Sequence, residues 1–148
     1  MMLRELSPVV FASGQVQPEE LALARDEGVT LVVNNRPDHE SPDQPDGRII
    51  AEQARALGMD YASIPVDHTG FSLDQVQALA RLLGQAEGKV LLYCRSGTRS
   101  TLLWALAQAN AGEPVAETAA AAERAGYSVE PVRSAMEALT AQAGRGGG

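Results

Sequence analysis

Val90-Leu91-Leu92-Tyr93-Cys94-Arg95-Ser96-Gly97-Thr98-Arg99-Ser100 is the stretch on which the reading of this chain turns. Four apolar residues in a row, with no polar alternation, mark a strand buried on both faces and hence a central one. A polar, glycine-containing turn follows at once, and residues 101–111 are apolar nearly all round, as in a buried helix. Strand, tight turn and helix in that order aim successive backbone N–H groups inward. They also set a helix N-terminus, with roughly half a positive charge, beside Cys94. Gly97 permits a backbone conformation that a side chain would forbid, and Arg99 presents a planar fork suited to two oxygens of an anion. A thiol in such surroundings titrates at roughly 3.5–7.5 instead of about 8.5. Cys94 is therefore expected to be a thiolate nucleophile at the foot of an anion-holding loop made by Arg95, Ser96, Gly97 and Thr98. No core-packing requirement explains the run Arg-Ser-Gly-Thr-Arg-Ser, which sets Cys94 apart from an ordinary buried cysteine.

Outward from that loop, short β-rich runs alternate with helical patterns, which predicts parallel strands joined by helical crossovers. Val9-Val10-Phe11 reads as a first strand ending at Ser13-Gly14. Pro18 opens a helix that closes at Gly28, and Val29-Thr30-Leu31-Val32-Val33 is a second buried strand. Residues 34–47, about 14 in number and dense in Asn, Asp and Pro, predict a loop long enough to be functional. A helix through Ile49, Ile50, Ala54 and Leu57 leads to a strand over 59–66. Ser72-Leu73-Asp74-Gln75 then has capping-box spacing, opening a helix with Val76, Leu79, Leu82 and Leu83 on one stripe. Two further helices, near 115–125 and 131–142, complete a single domain over residues 1–143. Residues 144–148, Gly-Arg-Gly-Gly-Gly, predict a disordered tail.

At 148 residues the chain suits one core rather than two. It has no apolar run of the roughly 20 residues that a membrane span needs, and Met1-Met2-Leu3-Arg4-Glu5 is not a secretory signal. A cytoplasmic location is expected. One cysteine excludes an internal disulfide and a multi-thiolate zinc site, and no metal or cofactor is called for. The net charge of −7 disfavours nucleic acid, whose binding needs a basic stripe, so any anion site must be local. No membrane partner is expected, and the oligomeric state is not encoded in any readable pattern.

Ligands of an open α/β sheet bind beyond the carboxyl ends of its strands. Here those ends carry Asn34, Asn35, Arg36 and Asp38 on one strand, Asp67 and His68 on another, and Cys94 on a third. In order, Ser13-Gly14-Gln15, Pro18-Glu19-Glu20-Leu21, Gly28-Val29, Asn35-Arg36-Pro37-Asp38, Ile64-Pro65-Val66 and Tyr93-Cys94-Arg95-Ser96-Gly97-Thr98-Arg99-Ser100 resemble the bacterial β-lactamase-hydrolase-like phosphatase family of the protein tyrosine phosphatase superfamily. The resemblance covers residues 8–110. It implies an α/β, protein tyrosine phosphatase-like fold with a central, mostly parallel sheet of four to five strands flanked by helices. It further implies a cysteine-dependent phosphatase acting on a phosphorylated protein or a small phosphoester through a phosphocysteine. Cys94 would attack phosphorus, Arg99 and the loop amides would bind its equatorial oxygens, and Ser100 would donate to the thiolate or help expel it. Asp67 would be the general acid, with Asp38 and His68 as rivals, and Arg36 and His68 would help hold the loop or the substrate.

The family's wider signature has five residues between cysteine and arginine, whereas four separate Cys94 from Arg99. Four is also the spacing of rhodanese-type sulfurtransferases, which would carry a persulfide on Cys94. The hallmark Asp-Val-Arg and Gly-His-Ile-Pro-Gly-Ala elements of that family are missing upstream. A phosphatase, a sulfurtransferase and a non-catalytic anion-binding module are the three readings left for the structure.

Overall fold

A computed structural model describes residues 1–146. Five strands form one sheet: β1 (Arg4–Ser7), β2 (Val10–Ser13), β3 (Val29–Asn34), β4 (Asp60–Ser63) and β5 (Lys89–Tyr93), in the order β1-β2-β5-β3-β4. β5 lies between β2 and β3 and is parallel to both, with Val10 opposite Val90 on one side and Val33 opposite Leu92 on the other. β4 continues the parallel set beyond β3, whereas β1 is antiparallel to β2. The expected central strand is therefore central, and the sheet is mostly parallel as the apolar runs required.

Successive residues of a strand face opposite sides of its sheet, so a wholly apolar β5 needs two apolar layers. Val90 and Leu92 face one, packed with α3 (Leu73–Gln85), α4 (Thr98–Asn110), α5 (Val115–Arg124) and α6 (Arg133–Gly146). Leu91 and Tyr93 face the other, packed with α1 (Leu21–Asp26) and α2 (Gly47–Ala56). In α4 every residue from Ser100 to Ala107 is buried, because α3 and α6 cover what the sheet does not. The Ser72–Gln75 box closes as its spacing predicts. Gln75 N–H donates to Ser72 Oγ at 3.2 Å, and Ser72 N–H donates to Gln75 Oε1 at 2.8 Å.

Three differences from the sequence reading have simple causes. β1 escapes it because Arg-Glu-Leu-Ser carries only one buried apolar side chain, Leu6, as edge strands often do. The helix expected over 18–28 splits into a 3-10 turn at Pro18–Glu20 and the short α1. α6 carries the chain helically to Gly146, past Gly144 where a disordered tail was expected. An alanine-rich helix propagates at one hydrogen bond per added residue. Gly147 and Gly148 lie outside the described residues. Among the described residues no helix is long and apolar enough to cross a membrane.

Leu92 is wholly buried at the centre of the larger layer. Leu92→Ala is expected to cost about 2–5 kcal/mol in urea unfolding, while Leu23→Ala, on the exposed side of α1, should change stability by less than about 0.5 kcal/mol.

Candidate functional site

Between the end of β5 at Tyr93 and the start of α4 at Thr98, the turn is only Cys94-Arg95-Ser96-Gly97. The end of β2 forms its floor. Cys94 N–H donates to Ser13 C=O at 3.4 Å, and Gln15 N–H donates to Arg95 C=O at 3.2 Å. Gly14 allows this approach, since a Cβ there would stand 2.9 Å from the Arg95 carbonyl oxygen. Gly97 has φ of +92°, and its N–H donates to Cys94 Sγ at 3.1 Å. Thr101 then locks the first helical turn, its N–H and hydroxyl both reaching Gly97 C=O, at 3.0 and 2.8 Å. The Cys94 side chain is fully buried, while Arg95, Ser96 and Thr98 form an exposed rim on which Ser96 Oγ meets Thr98 Oγ1 at 3.0 Å.

Arg99, in the first turn of α4, stands beside the thiol, and its guanidinium draws in two other loops. Nη1 donates to Glu40 Oε2 at 2.8 Å and to Val66 C=O at 2.7 Å, and Nη2 donates to Glu40 Oε1 at 2.8 Å. The Glu40 hydrogen bond is the main cause that raises Arg99 above its ordinary value, and the Cys94 charge adds to it. Arg36 is buried, and its Nε donates to the same Glu40 carboxylate at 2.9 Å. Glu40 is thereby lowered to about 2, first by Arg99, with Arg36 also lowering it and partial burial opposing both.

The other predicted residues fall into distinct places. Asp67 and His68 are exposed at the end of the β4 extension, next to Val66 and so on the Arg99 side of the site. Asp67 Oδ1 accepts from the N–H and hydroxyl of Thr69, whose hydroxyl is the main cause that lowers its carboxyl. Asp38 Oδ1 accepts from Gly47 N–H at 2.8 Å and so holds the start of α2. Ser100 is buried, and its hydroxyl donates to Asn35 Oδ1 at 2.8 Å instead of to sulfur. The Asn35 orientation is fixed because its Nδ2 must donate to Ile64 C=O, at 2.9 Å. Arg36, expected to hold the loop or the substrate, spends its guanidinium on Glu40, on Gln15 Oε1 at 3.0 Å and on Ser41 Oγ at 3.2 Å. It holds the loop.

Sequence reasoning passed over Glu40 and placed Asn35 at a strand end without giving it a role. Glu40 lies four residues after Arg36 in a stretch with no regular periodicity, so nothing local connects it to Arg99. Asn35 carried a readable signal, a polar residue closing a buried strand. Its part in joining the ends of β3, β4 and β5 depends on contacts from Tyr93 C=O and Ile64 C=O that only the folded sheet supplies.

The sheet order, the strand-to-helix turn and the buried cysteine define a protein tyrosine phosphatase-like fold. The family model described as "Beta-lactamase hydrolase-like protein, phosphatase-like domain" matches residues 2–111, and the chain belongs to that family. A β-lactamase hydrolase-like protein of Xylella fastidiosa is 33% identical over 108 residues, which are 73% of this chain and 25% of the relative. The chain thus spans about a quarter of the length of the curated relatives it matches. A crystal structure from Neisseria meningitidis, described as a candidate phosphatase, aligns with a TM-score of 0.82 and 31% identity over 94% of this chain and 99% of that one. The active form of Tk-PTP, at 21% identity and a TM-score of 0.73, covers 93% of this chain and 95% of its own and shares the fold.

A carboxylate lowered by folding contributes stability above its ordinary value of 4.5, and that contribution fades as pH falls through about 2. The difference in melting temperature between the wild type and Glu40→Gln should therefore be widest above about pH 4.5 and close as pH approaches about 2. A difference that stays constant across this window would remove the assigned ion pair.

Proposed function

We propose that this chain is a cysteine-dependent phosphatase that hydrolyses phosphate monoesters through a phosphocysteine on Cys94. The observation that carries the reading is the Gly97 N–H aimed at Cys94 Sγ at 3.1 Å, with Arg99 beside it at the mouth of α4. Membership of a family with a phosphatase-like domain supports it. Donors already facing the sulfur need no reorganisation when a phosphoryl group arrives there. In the first step the thiolate attacks phosphorus, the bond from phosphorus to the leaving oxygen breaks, and that oxygen takes a proton from a carboxylic acid. In the second, water attacks phosphorus, the same carboxylate takes its proton, and the S–P electron pair returns to sulfur.

Arg99 and the inward amides hold the equatorial oxygens, and the phosphate shares Arg99 with Glu40. Arg95, Ser96, Thr98 and His68 touch the substrate around the phosphate. Arg36 acts through Glu40. Asp67 remains the acid. It lies next to Val66, whose carbonyl accepts from Arg99, and once Thr69 lets go of it the carboxyl is free to take a proton. Ser100 helps expel the sulfur only after it gives up Asn35.

The four-residue gap favours a second reading, sulfur transfer. There the thiolate would take the outer sulfur of thiosulfate, releasing sulfite and leaving a persulfide on Cys94.

Wild-type protein should hydrolyse para-nitrophenyl phosphate at mildly acidic to neutral pH, be blocked by orthovanadate, and lose turnover in Cys94→Ser. No phosphate release anywhere in that range would sink the phosphatase reading. A gain of one sulfur atom in intact mass after thiosulfate treatment would then install the alternative.

Thr69→Ala supplies a separate test of the acid. Without the Thr69 hydroxyl, Asp67 should rise toward its ordinary 3.8, so the alkaline fall of kcat, where the acid loses its proton, should move to higher pH. An unmoved profile would reassign the acid.

A further inference from the structure

Tyr127 stands in the connection between α5 and α6, outside the residues 2–111 that the family model matches. Its hydroxyl donates to Ser96 C=O at 3.2 Å. That carbonyl and the Gly97 N–H belong to one peptide unit, and in a trans peptide the two point in opposite directions. Holding the carbonyl outward therefore holds the N–H inward, where it reaches Cys94 Sγ at 3.1 Å.

This peptide is the one in the loop that precedes a glycine. Rotating it changes φ of the residue that follows, and Gly97, at +92°, is the loop residue for which positive and negative φ cost nearly the same. Turned over, the unit would point its carbonyl oxygen at the sulfur and at any anion above it, replacing attraction with repulsion. Tyr127 also sits close against the turn, since a Cβ built on Gly97 would overlap its hydroxyl oxygen.

The ring itself is anchored from elsewhere. Tyr127 N–H donates to Ala122 C=O at 2.9 Å, and the Arg4 guanidinium lies 5.7 Å from the ring centroid while donating to Ala125 C=O at 2.9 Å. The charged groups that face the phenol are thus Arg4 from β1 and Cys94 from the loop. Burial raises the phenol above its ordinary value, Arg4 opposes this and Cys94 adds to it, so Tyr127 is a hydrogen-bond donor at neutral pH.

We propose that Tyr127 is a positioning residue that locks the Ser96–Gly97 peptide with its N–H toward Cys94 and so keeps the loop in its anion-accepting state. The proposal rests on Cys94 being the nucleophile. It does not depend on whether phosphorus or sulfur is transferred.

Tyr127→Phe keeps the ring and removes only the donor. Three measurements on the purified chain test it: the melting temperature, the pH profile of Cys94 alkylation by iodoacetamide, and the affinity for inorganic phosphate by calorimetry. The expected result is a melting temperature close to wild type, an alkylation profile displaced to higher pH, and alkylation at neutral pH and phosphate affinity each reduced about tenfold. Unchanged alkylation and phosphate binding would overturn the proposal, and so would losses that merely track a fall in melting temperature. None of the three needs turnover. A wild type that cleaves no phosphoester but shows the Tyr127→Phe effects would keep the lock and lose the phosphatase reading. A wild-type Cys94 that alkylates no faster than a free thiol would remove both.

Discussion

The guanidinium of Arg99 ties together the side chains and backbone of three segments at one edge of the sheet. It leaves α4, grips Glu40 in the β3–α2 loop, and takes the Val66 carbonyl at the end of the β4 extension, all while lying beside Cys94. Parallel strands bring these segments to one edge of the sheet, but an edge is not a site. Converging segments rich in carboxylate and backbone carbonyl would repel an anion unless a fixed positive charge sat among them. Arg36 reinforces it from behind, holding Glu40 from the buried side. The result is a local pool of positive charge on a chain whose overall balance is acidic.

The same arrangement explains why the loop is so short. β5 delivers Cys94 into α4 through Arg95, Ser96 and Gly97 alone, and the floor beneath is the end of β2, close enough that Gly14 must be a glycine. With the turn pressed on β2 from below and fixed by Thr101 from the helix side, the peptide before Gly97 is where conformational freedom remains. Buried scaffolding thus surrounds one adjustable joint, and that joint faces the sulfur.

How much of this could be read from the residues differs from element to element. The runs at 29–33 and 90–93 announced buried parallel strands because they are short, rich in β-branched or aliphatic residues and closed by polar or glycine-containing turns. The box at Ser72–Gln75 announced a helix start because both of its hydrogen bonds are local. The loop around Cys94 was legible for the same reason, its glycine and arginine lying within one turn of the cysteine. What stayed hidden depends on partners distant in sequence. The Ser100 proton goes to Asn35, Arg36 turns inward, and Asp38 holds the start of α2. The side chain of an exposed-looking aspartate or arginine carries no mark of which backbone group it will find. β1 was missed because its polar residues suit an edge and imitate a loop.

The position of β5 between β2 and β3 has a consequence for biosynthesis. Val10 and Val33 both await neighbours, Val90 and Leu92, that leave the ribosome long after them. Until then the emerging chain holds two unjoined β segments whose apolar faces have no common filler, the condition under which nascent chains invite chaperones or self-association. The strand that presents the cysteine is also the one that closes the sheet, so the thiol is enclosed in the same event that joins the two β segments.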